Sequence, residues 1–132
     1  MFAEELRIRT RQFAVDVVKL SLRLPKDDLL WIVRRQLIRS ATGTASNYRA
    51  ACRARSDKEF ASRLGVVIEE ADESELWLDI LQVMEYQPAA ELTRLRSEAT
   101  QLVAIMVKSR CTTLENIKRK RLAKTRDTWT QK

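Results

Sequence analysis

The stretch from Gln36 to Phe60, QLIRSATGTASNYRAACRARSDKEF, constrains the fold more than any other part of the chain. Read at about 3.6 residues per turn, Leu30, Leu37, Ala41, Thr44, Tyr48 and Ala51 fall on one stripe. Gly43 lies between two threonines, where a missing side chain lets another backbone approach closely. Arg49, Arg53 and Arg55 crowd the expected helix end, where cations suit the negative pole of the helix dipole. Ser56-Asp57-Lys58-Glu59 reads as a capping box, in which hydroxyl and carboxylate each satisfy an orphan amide. One long helix therefore ends here and another begins.

The rest of the chain follows the same pattern. With 132 residues, two glycines and two prolines, it is one all-helical domain with few turns and enough length to bury a core. Helix 1 is expected over about Glu4 to Leu24, with Leu6, Phe13, Val17, Leu20 and Leu24 inward. Leu24-Pro25 stops it, and Asp27 or Asp28 caps helix 2, about Asp28 to Arg55. Helix 3, about Asp57 to Tyr86, turns Phe60, Leu64, Val67, Ala71, Leu78 and Leu81 inward. Gln87-Pro88 opens helix 4, with proline at the first helical position and a stripe of Leu92, Leu95, Ala99, Leu102 and Met106. After Cys111 the periodicity fades. The expectation is an antiparallel up-down four-helix bundle over residues 1–111, about 30–40 Å long, followed by a basic, disordered tail over 112–132.

Two helices carry a second apolar face. Val15, Val18 and Leu22 lie on the outer side of helix 1, and Val66, Trp77, Ile80 and Met84 project from helix 3 away from its core stripe. A soluble monomer rarely leaves such faces in water, so they are expected to press against other copies of the chain.

Charge supplies the functional expectation. The net charge is +7, and residues 112–132 alone carry seven Lys/Arg against two acids. Residues 27–55 hold six arginines against two aspartates, while residues 57–86 hold nine acids against two basic residues. Arg34, Arg35, Arg39, Arg49, Arg53 and Arg55, with Lys118, Arg119, Lys120, Arg121, Lys124 and Arg126, are the candidate contacts to RNA or DNA. Neutralised phosphates release counterions, which drives binding without reading base sequence. Trp129 could stack on an unpaired base. The competing reading pairs the helix 2 arginines with helix 3 acids and leaves the tail as a solubilising segment.

Catalytic chemistry finds little support. There is no histidine, so the Glu-x-x-His ligands of di-metal bundles and the commonest general base are both missing. Glu69, Asp72 and Glu73 spread over more than one helical face, which suits a solvated surface better than a metal site. The two glycines are isolated, so no phosphate-cradling loop exists. The chain is read as a non-enzyme without metal or cofactor. Glu75, near the core stripe of helix 3, needs a partner, for which Arg39, Arg53 or Asn47 are candidates. Cys52 and Cys111 have no metal or redox spacing and suit a reducing cytoplasm. No apolar run reaches the roughly 18 residues of a membrane span, and the N-terminus lacks a signal-peptide pattern.

Residues around the hub resemble the four-helix bundle proteins encoded in intervening sequences of bacterial 23S ribosomal RNA genes. The likeness rests on Leu24-Pro25-Lys26, Gln36-Leu37-Ile38-Arg39-Ser40-Ala41, Asn47, Ser56, Lys58-Glu59-Phe60, Glu69-Glu70-Ala71-Asp72-Glu73 and Trp77-Leu78, within residues 11–85. Where many members carry Ala-Asn-Ile-Ala-Glu-Gly, this chain has Ser46-Asn47-Tyr48-Arg49-Ala50-Ala51, so no role of that glutamate or glycine carries over. The resemblance implies an antiparallel bundle assembling into a ring, typically a pentamer, with no enzymatic activity. The accessory proteins of diversity-generating retroelements look like distant relatives, and they bind nucleic acid and a reverse transcriptase. An oligomeric scaffold for such an enzyme is thus the alternative reading.

Overall fold

The computed structural model describes residues 2–130, so the last two residues of the expected tail lie outside the described residues. Four helices follow one another: α1 Phe2–Arg23, α2 Asp28–Cys52, α3 Asp57–Val83 and α4 Ala89–Thr130. Each packs on its successor and α1 meets α4 across the thinnest seam, which gives the antiparallel up-down arrangement. Every inward stripe expected from spacing is buried except Phe60, which is half-buried. Phe13, Leu37, Leu78, Leu95 and Leu102 centre one apolar cluster. Leu6, Tyr48, Leu64, Val67 and Met106 centre a second, toward the far end.

Between the clusters sits a polar layer. The Ser40 and Ser74 hydroxyls meet at 2.8 Å, one donating to the other, while the accepting hydroxyl's proton goes to a carbonyl of its own helix, Leu37 O or Glu70 O. The gap left by Gly43 is filled by the Glu70 side chain, not by the expected neighbouring backbone. A Cβ at position 43 would lie 2.8 Å from Glu70 Oε2. That oxygen is buried and, among the described residues, has no hydrogen-bond partner. Burial pushes the Glu70 carboxyl up, and Arg39 only partly opposes this from 3.8 Å while Glu73 and Glu69 add to it. A carboxyl raised in the fold stabilises below its unfolded pKa and loses that contribution as pH rises through its folded value. Glu70→Gln, which removes the charge and keeps the shape, is therefore expected to stabilise the bundle near neutral pH by on the order of 1 kcal/mol, the scale of burying a polar group at a cost. Urea midpoints should show this gain shrinking as pH falls toward the ordinary glutamate range near ~4.3, and gone below it. A gap that persists in acid would mean that burial of charge is not the cause.

The caps account for most boundaries. Asp27 accepts from Leu30 N at 2.8 Å, and Ser56 accepts from Glu59 N at 3.1 Å. The reciprocal half of the box is shifted by one residue, because Glu59 Oε2 takes the Arg55 amide at 3.0 Å. Helix α2 ends at Cys52, three residues before the expected Arg55. Tight bonds from Arg53 N to Ala50 O and from Ala54 N to Ala51 O close it and free the chain to reach the extended Ser56 cap. Helix α3 likewise ends at Val83, not Tyr86. Tyr86 N bonds to Leu81 O and Glu85 N to Gln82 O, the paired bonds of a Schellman end. Glu85 stands at the left-handed position of that motif with φ 60. Glu85→Gly is expected to gain about 1 kcal/mol by relieving this conformation. A thermal melt that fails to rise would contradict the strain. Pro88 precedes the first turn of α4 instead of entering it, and its carbonyl accepts from Leu92 N.

The expected disordered tail is the main correction. Helix α4 runs unbroken through Thr130, about 63 Å at 1.5 Å per residue. Residues 112–130 contain no glycine or proline and many strong helix formers. Thr113 is buried, Asn116 and Ile117 are half-buried, and Lys120 Nζ reaches Asp57 Oδ2 at 2.8 Å at the start of α3. Periodicity fades there because α4 outruns its neighbours, not because the helix stops.

Candidate nucleic-acid interface

The twelve candidate cations separate into two groups along the bundle axis. Toward the α1–α2 turn, Arg34 is spent on backbone. Its guanidinium donates to Ser21 O, Leu24 O and Pro25 O at 2.6–3.1 Å, closing the end of α1. Arg35 lies over the Trp31 ring at 5.3 Å. Arg39 bridges to Glu73 at 2.7 Å, which meets the expectation that α2 arginines pair with α3 acids at that one position.

The opposite end differs. Arg49, Arg53 and Arg55 are exposed at and beyond the end of α2, with Arg53 and Arg55 in the linker and not on the helix as expected. Lys118, Arg119, Lys120, Arg121, Lys124 and Arg126 are exposed on α4. Among the described residues, only Lys120 of these nine makes a side-chain hydrogen bond or ion pair. Beyond Lys120, α4 projects about 15 Å with every described residue exposed, Trp129 included. The helix makes this a rigid rod of charge.

Most other ion pairs hold helices together. Arg9 Nε and Nη2 fork onto Glu98 of α4 at 2.9 and 2.6 Å. Arg94 bridges Glu91 and Asp16. Burial alone would raise the Asp16 carboxyl, but hydrogen bonds from Arg94 and Gln12 outweigh it and hold the group below its usual range. Glu75 is paired, though with none of the α2 residues expected. Its partner is Arg96 of α4, at 2.6 Å, which also reaches Asp79 at 3.0 Å. Glu75 sits on the α4 side of the α3 stripe, a direction that spacing alone leaves open.

The second apolar faces are partly exposed. Leu22 and Met84 are 76% and 62% exposed, Val15 is at the rim, and Val18, Val66 and Ile80 are half-buried. Trp77 instead leans on the first core cluster, its Nε1 3.4 Å from Glu73 Oε1. Leu76 and Val83, which the sequence reading missed, complete a run Leu76-Ile80-Val83-Met84 on the outer side of α3. Their four–three–one spacing was the available signal. Among the described residues, no three Cys, Asp or Glu side chains gather as a metal site, so Glu69, Asp72 and Glu73 do not converge. No helix among them is long and apolar enough to cross a membrane.

These elements define an antiparallel four-helix bundle whose overlong last helix builds a basic end. The likeness carried by the hub residues extends well beyond them. The chain belongs to the family described as 23S rRNA-intervening sequence protein, which matches residues 5–108 and so includes much of α4. The chain is also similar to a crystal structure of a protein of unknown function from the S23 ribosomal protein family of Bacteroides thetaiotaomicron. Identity there is 25% and the TM-score 0.76, covering 83% of this chain and 98% of that one. No curated protein matches the chain.

Proposed function

We propose that this chain is a non-enzymatic, self-associating cytoplasmic protein that grips the RNA or DNA backbone with its basic end. The carrying observation is the far end of α4, where Lys118, Arg119, Arg121, Lys124 and Arg126 are exposed and, among the described residues, without ion-pair partners. Arg49, Arg53 and Arg55 lie toward the same end of the bundle. Such a surface neutralises several phosphates and is indifferent to base sequence. The family's name makes structured RNA the first polymer to try. Self-association through the outer faces of α1 and α3 would repeat the basic end around a ring, for which five copies are expected, and raise avidity.

Filter binding of the intact chain to structured RNA at about 50 and 200 mM salt tests the reading. Tight binding that weakens steeply with salt supports it, and absence of binding to RNA and DNA at the lower salt overturns it. Light scattering tests assembly, and a monomer mass at micromolar concentration contradicts the ring. The alternative, a scaffold for a nucleic-acid enzyme such as a reverse transcriptase, draws on exposed Leu122 in the projecting helix. It would be favoured by an assembled chain that binds no nucleic acid.

A further inference from the structure

We infer that the groove between α1 and α2 is a slot for a single phosphodiester strand, a site that rests on the nucleic-acid reading above. The groove encloses about 610 Å³, within the roughly 300–1,000 Å³ of ligand clefts. Its floor is Ala14 and Ala45, small residues that leave the cleft open between two rods. Arg11 stands on the α1 wall and Arg49 on the α2 wall, each exposed and, among the described residues, without a side-chain partner. Arg7 also lines the groove, but its guanidinium is held by Glu4, the one carboxylate in the lining. Two cations are thus left facing the cleft from opposite sides. That arrangement suits a chain of phosphates passing between them. Arg53 and Arg55 follow Arg49 beyond the end of α2, so the slot opens toward the basic end.

The test is fluorescence anisotropy of a labelled short oligouridine with the full chain. Arg11→Ala with Arg49→Ala should weaken binding about tenfold and lower the salt slope by about 1.4, the share of two phosphate contacts on a single strand. Lys19→Ala with Arg23→Ala removes the same charge from the other end of α1 and should leave binding unchanged. Ala45→Phe plugs the slot while keeping every charge and should weaken binding several-fold. Should Ala45→Phe lower the helix melt, Ile8→Trp on the exposed wall narrows the mouth instead. Equal losses from the two charge pairs, or no loss from the plug, would overturn the slot and leave the broader reading standing. A wild-type chain that binds structured RNA but not oligouridine does the same. A chain that binds neither overturns both.

Discussion

Replacing Lys118, Arg119, Arg121, Lys124 and Arg126 together by alanine is expected to weaken RNA binding by on the order of 100-fold or more at low salt. Lys120 is left in place because it ties α4 to Asp57. Alanine is the best helix former, so far-UV circular dichroism should show the rod intact while its charge is gone. The slope of log affinity against log salt should fall by roughly 3.5–4.5, at about 0.7–0.9 per lost phosphate contact. Undiminished affinity in this variant would place the binding surface elsewhere and remove the projecting helix from the account. Affinity lost with an unchanged salt slope would point to a damaged fold, which the dichroism would reveal.

The largest expected effect on stability comes from Leu78→Ala. Leu78 is fully buried in the first apolar cluster, which draws side chains from all four helices. Its truncation should cost about 2–5 kcal/mol, from lost transfer energy plus the cavity left behind. Against a total stability of about 5–15 kcal/mol, that lowers the melting temperature by about 10 °C or more. Leu76, two residues earlier and half-exposed on the outer face of α3, provides the contrast. Leu76→Ala should change the stability of the isolated chain by less than about 0.5 kcal/mol while lowering the mass measured by light scattering. An unchanged mass would remove this face as the contact between copies. A destabilisation matching that of Leu78→Ala would show that Leu76 is core.

Opposite-charge attraction between segments 27–55 and 57–86 proves narrower than their net charges suggest. Among the described residues, Arg39 alone bridges α2 to the acids of α3. Other α3 acids turn the opposite way, with Glu75 and Asp79 on Arg96 and Asp57 on Lys120, all toward α4. Segment charge sums carry no direction, whereas a salt bridge depends on which side of the helix each group leaves from. Arg34 illustrates the same point: its donors go to carbonyls at the end of α1, which a count of charges cannot reveal.

Read alone, the sequence determined four helices, their inward stripes and the Ser56 cap, and narrowed the cap of the second helix to Asp27 or Asp28, because burial periodicity and capping chemistry are local and repeat every few residues. Tertiary structure alone decided that α4 continues to Thr130, that Glu75 belongs to Arg96, that Glu70 fills the space beside Gly43, and that Arg11 faces Arg49 across a groove. Each depends on which neighbour a helix face meets and how far that neighbour extends. A helix that outruns its partners loses its apolar stripe without losing its hydrogen bonds, so its sequence reads as a tail.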